Sequence, residues 1–219
     1  MREALLAAAS PDSDCPSSGT CDHGDLPSDL DRYEAVLFDW DGTLVDSHPL
    51  NYHGLSHACA HWGLTMDEPF YAARIGTSGA ELIKELATAA GVTVPVEDVV
   101  ARCLQTILDN ISGLRPYPPV VQLAESLYGR LPLAIASGGA HRAVHAGLAS
   151  TGLRHLFEHV ITGEDAPRGK PDPGLFLLSA NLLGVDPSRC LVYEDSPEGM
   201  QAAHAAGMRA VNVHCFRSY

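Results

Sequence analysis

The chain has 219 residues, of which 46% are hydrophobic and 19% charged, and its formal net charge is −13. Such acidity argues against a nucleic-acid or anionic-membrane partner, because both are met by a basic face. No apolar run approaches the ~20 residues of a membrane span, and the length suits one core with an insertion or two small domains.

Residues 1–32 are expected to form a disordered leader. Up to residue 33, seven acids face two arginines. Residues 10–31 are rich in Ser, Pro, Asp and Gly, which bury too little apolar surface to offset the entropy of ordering. The opening Met1 to Ala9 offers too short an apolar run, with Glu3 inside it, for a secretory signal, so a cytoplasmic protein is expected. Cys15, Cys21, Cys59, Cys103, Cys190 and Cys215 show no Cys-x-x-Cys spacing and read as reduced thiols, some of them core residues. Cys15 and Cys21 with His23 could ligate a metal, but the spacing within a floppy tail favours a metal-free reading.

From Tyr33 onward, short apolar runs alternate with helical stretches. Strands are expected at 34–39, 131–136, 158–162, 190–194 and 209–213, with helices near 139–151, 173–183 and 197–206 between them. This alternation predicts an α/β protein with a Rossmann-like parallel sheet and helices on both faces. The rhythm breaks after the first strand, where 48–62, 67–73, 78–90 and 96–111 all carry helical periodicity. Pro49, Pro69 and Pro95 sit near helix starts, and Gly63 and Gly91 suit helix stops. The expected organisation is a core of 33–46 and 117–219 with an inserted helical cap, 47–116, over the carboxyl ends of the strands. Ligands of open parallel sheets bind at that edge.

Four segments converge on that edge. In the first, the apolar run Ala35-Val36-Leu37-Phe38 delivers Asp39 and Asp41, whose period-2 spacing points both carboxylates to one face. Gly42 then permits a sharp exit. Two acids so close repel, so a site that keeps them needs a cation, a proton or both; a plain surface turn is the alternative. In the second, Leu133-Ala134-Ile135-Ala136 ends in Ser137-Gly138-Gly139, a hydroxyl with exposed N–H groups before a helix, which suits an anion as well as a simple N-cap. The third is Gly169-Lys170-Pro171-Asp172-Pro173. Lys170 is one of two lysines against twelve arginines, which hints at a compact point charge where a planar guanidinium would not fit. The fourth, Cys190-Leu191-Val192-Tyr193, ends in Glu194-Asp195 and opens a helix at Ser196-Pro197; acids there also serve as ordinary capping.

The order DWDGT, ASGG, GKPDP, YEDS resembles the haloacid dehalogenase superfamily of aspartyl-phosphate phosphotransferases, over about residues 34–215. The helical insertion after the first motif is similar to the subgroup of β-phosphoglucomutase and small sugar-phosphate phosphatases. The resemblance implies that Asp39 is the nucleophile, and that Asp41 is the general acid and then base. It implies that Ser137 and Gly138 contact the phosphoryl group and that Lys170 braces it together with Asp39. Asp39, Glu194, Asp195 and the backbone carbonyl of Asp41 would hold Mg²⁺. The implied activity is hydrolysis of a small phosphorylated metabolite by a monomer or weak dimer.

Cap residues Asn51, His53, Arg74 and Ser78 are the candidates for touching substrate. β-Phosphoglucomutase carries a cap histidine at the position of Asn51 and a phosphate-gripping arginine at that of Gly79. Loss of both weighs against the mutase alternative unless Arg74 or His53 substitutes. His48, His53, His57 and His61 include i,i+4 pairs but read as a histidine-rich surface. A non-catalytic binding module on the same fold is the alternative of another class, and the joint presence of Asp39, Asp41, Lys170 and Asp195 argues against it.

Overall fold

The computed structural model describes residues 30–215. The expected leader, with Cys15, Cys21 and His23, therefore lies almost wholly outside the described residues. Five strands form one parallel sheet: β1 (Ala35–Phe38), β4 (Leu133–Ala136), β5 (His159–Ile161), β6 (Cys190–Glu194) and β7 (Arg209–Asn212). Their order is β5-β4-β1-β6-β7, with Val36 opposite both Leu133 and Leu191 in the register. The α/β, Rossmann-like reading therefore holds, and all five strands fall where the apolar runs put them.

Period-2 alternation builds the two faces. Val36 and Phe38 point into a core with Val120, Leu123 and Leu127 of α5 (Pro118–Leu127) and Leu148 of α6 (His141–Thr151). Phe38 stacks on Tyr193 at 5.2 Å and meets Phe157 edge-on at 6.0 Å. Ala35 and Leu37 point the other way, against Leu175 and Phe176 of α7 (Gly174–Leu183) and Ala202 and Ala203 of α8 (Pro197–Ala205). Every residue of β1, β4 and β6 is buried, as strands covered on both faces require.

Between β1 and α5 the chain runs through α1 (His48–His61), α2 (Glu68–Ala72), α3 (Gly79–Ala90) and α4 (Val96–Asp109). These helices bury a separate core that includes Leu55, Cys59, Leu82, Ile83, Val99 and Cys103. Asp67 and Ser78 cap α2 and α3 through their side chains, the latter in a reciprocal box with Glu81. Entry to and exit from this unit are tied by an antiparallel ribbon of β2 (Val45–Asp46) and β3 (Arg115–Pro116). Two features were not anticipated. Strands of two residues fall below any periodicity, and α5 begins on Pro118-Pro119, which reads as a loop although proline at N1 is favourable. No helix among the described residues is long and apolar enough to cross a membrane.

Candidate active site

The site sits at the carboxyl ends of β4, β1 and β6. Asp39 is still tied to the sheet: its N–H donates to the Tyr193 carbonyl at 3.0 Å, and the residue is 5% exposed. The chain then turns sharply. Gly42 takes φ of 82°, open to glycine at no steric cost, and its N–H donates to Val45 while Leu44 and Val45 donate to Trp40. The turn fixes where Asp41 points. Asn51 Nδ2 donates to Asp41 Oδ1 at 3.4 Å, and Ser137 Oγ donates to Asp41 Oδ2 at 3.3 Å. Gly139 N–H in turn donates to Ser137 Oγ at 2.9 Å.

Lys170 is the cationic centre. Its Nζ donates to Asp39 Oδ1 and to Glu194 Oε1, both at 2.6 Å, and lies 5.0 Å from the Phe176 ring centroid. The other Glu194 oxygen is fully engaged: Oε2 accepts the N–H groups of Asp195 and Ser196 at 2.7 Å and Ser196 Oγ at 3.0 Å. Glu194 therefore pins the start of α8 and spans it to Lys170. Gly199 lets the helix approach that closely, since a Cβ there would lie 1.7 Å from Glu194 Oε1. Thr43 Oγ1 donates to Asp195 Oδ1 at 3.4 Å.

The electrostatics leave an excess of negative charge. One oxygen each of Asp39, Glu194 and Asp195 lie within 4.8 Å of one another, and all three residues are buried. One ammonium offsets three carboxylates. Burial pushes the Asp39 carboxyl well above its usual range; Lys170 pulls it down, while Glu194, Asp195 and Asp41 push it up again. For Lys170, burial works against the charge, but Asp39 and Glu194 overcome it and hold the ammonium above its usual value. Asp39 Oδ2 is buried without a hydrogen-bond partner, alone in this among the described side chains. A buried anionic oxygen left over in an all-oxygen cluster fits a hard divalent cation such as Mg²⁺.

The structure thus brings Asp39, Asp41, Ser137, Lys170, Glu194 and Asp195 to one edge, with Asn51 reaching in from α1. The space beside Gly138 is open: a Cβ there would meet nothing within 4 Å. The other cap candidates have partners elsewhere. Arg74 is bidentate to Glu85, at 2.6–3.0 Å, and stacks over Phe70, so its guanidinium is engaged within the cap. Ser78 is committed to capping α3, and the exposed His53 stacks on His57 at 6.2 Å. Glu194, expected as a metal ligand, offers one oxygen to the acidic cluster and also anchors Lys170 and the start of α8. Thr43 drew no role from the sequence, and neither did the close packing of Gly139, where a Cβ would stand 2.9 Å from Asp41 Oδ2. Beside Asp41 lies a cavity of about 160 Å³, walled by Trp40, Leu50, Leu104 and Ile107.

The chain belongs to the haloacid dehalogenase-like hydrolase family, whose profile matches residues 36–213. It is 35% identical over 187 residues to a fructose-1-phosphate phosphatase of Escherichia coli, covering 84% of this chain and 97% of that protein. A phosphorylated carbohydrates phosphatase of Thermotoga maritima is 29% identical over 180 residues, 81% of this chain and 83% of its own length. Among solved structures, a hydrolase from Pseudomonas syringae superposes with a TM-score of 0.70 at 27% identity, over 82% of this chain and 84% of that one.

Proposed function

We propose that this chain is a Mg²⁺-dependent phosphatase that hydrolyses a small phosphomonoester, a sugar phosphate or a metabolite of similar size, through a phosphoryl group carried on Asp39. Residues 47–116 serve as its cap, and the buried thiols, of which burial holds Cys103 up at about 12, suit a reducing cytoplasm. The observation that carries the reading is the Asp39 carboxylate, with one oxygen fixed by Lys170 at 2.6 Å and the other unpartnered inside the acidic cluster. Neither a turn nor a helix cap requires a buried carboxylate held in that way. The relatives that are phosphatases of phosphorylated sugars supply the substrate class.

Asp39, Asp195 and the Asp41 carbonyl would hold the Mg²⁺, with Glu194 beside them. Bound there, the ion supplies positive charge against a phosphate–carboxylate repulsion of roughly 4 kcal/mol per unit-charge pair at 4 Å and an effective ε of 20. The protein's own groups do the rest. Lys170 keeps Asp39 oriented and faces the phosphoryl oxygens, while Ser137 and the open N–H groups beside Gly138 receive them. Asp39 attacks phosphorus as the ester P–O bond breaks, and Asp41 gives its proton to the departing alkoxide. In the second half, Asp41 takes a proton from water as that water attacks the phosphoaspartate, releasing inorganic phosphate and restoring both carboxyl groups.

The test is phosphate release from fructose 1-phosphate and an aryl phosphate, with and without Mg²⁺, by the parent and by Asp39→Asn. Metal-dependent release that vanishes in the variant is expected. Undiminished release by a verified Asp39→Asn sample would remove the nucleophile assignment.

A further inference from the structure

Asp41 is held from two sides, one oxygen each. On one side, Ser137 Oγ accepts the Gly139 N–H at 2.9 Å and turns its own hydrogen toward Asp41 Oδ2, 3.3 Å away. On the other, the Asn51 amide in the first turn of α1 meets Asp41 Oδ1 at 3.4 Å. An ionised carboxylate only accepts, so the amide must show Asp41 its nitrogen. That nitrogen also donates to Ser47 Oγ at 3.4 Å. Ser47 stands at the N-cap of α1, where a serine ordinarily accepts from the helix backbone, yet its side chain makes no capping bond. It is buried, and its hydroxyl serves Asn51 rather than its own helix. Ser47, Asn51 and Asp41 line one cavity with the apolar Trp40, Leu50 and Leu104, and in such surroundings a polar contact counts for more than it would in water.

We propose that Asn51, steadied by Ser47, is a positioning residue that fixes the Asp41 carboxyl for proton transfer, so that the aim of the acid depends on where α1 lies. This rests on the phosphatase reading above, and it gives Asn51 a role other than touching substrate. A carboxyl with a donor on each oxygen cannot turn about its Cβ–Cγ bond without breaking a contact. Held by Ser137 alone, it pivots about that one bond. Contacts of 3.3–3.4 Å are long, as acid–base groups often show in unliganded sites, and they tighten when substrate closes the site. Misplacing a reacting group by about 1 Å can cost ~100-fold in rate. The loss should fall where a proton is needed. As the ester P–O bond of a sugar phosphate breaks, the departing alkoxide must take the Asp41 proton, whereas 4-nitrophenolate departs as a stable anion with little help.

The experiment compares kcat/KM, by phosphate release with Mg²⁺, for fructose 1-phosphate, phenyl phosphate and 4-nitrophenyl phosphate. The parent, Asn51→Leu, Asp41→Asn and the double variant are measured side by side, each with a thermal melt to verify its fold. Asn51→Leu keeps the shape and removes the donor. It is expected to lose about tenfold to hundredfold on the fructose ester, less on the phenyl ester and least on the nitrophenyl ester. In the Asp41→Asn background the same change should matter by less than about twofold, because no acid is left to position. Ser47→Ala should repeat the graded pattern at smaller size. An equal loss on all three esters, no loss on any, a change confined to KM, or a full further loss in the double variant overturns the assignment while leaving the phosphatase standing. A parent that releases phosphate from none of the three brings down the phosphatase reading and this one together.

Discussion

Replacing Lys170 with methionine keeps most of the unbranched side chain and removes the ammonium held by two of the three clustered carboxylates. Two contacts of 2.6 Å disappear, and Asp39 and Glu194 are left buried without a counter-charge. Breaking a buried ion pair from one side costs ~3–5 kcal/mol. At ~2–4 °C per kcal/mol for a chain of this size, the midpoint should fall by about 6–20 °C in chelator. The sign of the pH dependence is part of the prediction. The folded state already holds the Asp39 carboxyl well above its usual range, and without Lys170 it rises further. Between the ordinary carboxylate value and that raised value, the folded variant binds a proton that the unfolded chain does not. Its stability therefore increases as pH falls through this window, and the deficit shrinks. Lys170 itself, held above its usual value, stabilises the parent fully through neutral pH and ceases to do so only on the alkaline side. Urea denaturation at pH 8 and pH 5.5, with chelator and then with Mg²⁺, reads all of this. A deficit under about 1 kcal/mol, equal at both pH values, would refute the reasoning, because it would mean that the lysine neutralises nothing.

The remaining expectations are more compact. Lys170→Arg should lose most turnover, since the larger planar guanidinium cannot place one nitrogen 2.6 Å from both carboxylates in the buried space that Nζ fills; phosphate-release kinetics decide it. Gly199→Ala forces the α8 start off Glu194 and should cost about 1–3 kcal/mol with a larger loss of activity, measured by urea melts alongside initial rates. Arg74→Ala removes an exposed pair with Glu85 and should change kcat/KM for fructose 1-phosphate by less than about twofold; a large loss would return Arg74 to the substrate site. Asp165 accepts from the Thr162 N–H and hydroxyl, both at 2.8 Å, which holds its carboxyl below the usual value. Its contribution is thus present above the unfolded value of ~3.9 and lost as pH falls through the folded one, so the parent's advantage over Asp165→Asn should vanish in acid denaturation.

What could be read from the chain was whatever a buried strand announces. An apolar run that stops at an acid or a hydroxyl marks both the sheet and its functional edge, so β1 with Asp39, β4 with Ser137 and β6 with Glu194 and Asp195 were legible together. Lys170 stood out by scarcity. Contacts that depend on how a turn aims its side chains were not legible. The division between Glu194 and Asp195 follows from the N–H groups at the start of α8, which claim one Glu194 oxygen, and no spacing rule encodes that. Likewise, Asn51 meets Asp41 after the chain has passed through the Gly42 turn and β2 into α1, a path that spacing alone does not define. Arg74 looked available in the sequence since it follows α2 in a turn and its partner, Glu85, lies eleven positions away on α3.

The two aspartates of the first motif occupy unlike surroundings, and that difference assigns their work under the proposed mechanism. Asp39 sits inside the sheet edge, fixed by an ammonium and crowded by two more acids. Burial and the neighbouring acids oppose its charge, so a cation bound in the cluster would be what lets Asp39 turn a charged oxygen toward phosphorus. Asp41, half-buried two residues later, accepts from neutral donors, the amide of Asn51 and the hydroxyl of Ser137, and lines the neighbouring cavity. Neutral donors hold a carboxyl in place whether or not it carries a proton, whereas an ammonium at 2.6 Å favours the ionised form alone. Carboxyl groups whose environments diverge in this way divide acid and nucleophile between them. Here the divergence comes from the two residues over which the chain leaves the sheet, which separate the group Lys170 reaches from the group Asn51 of the cap reaches.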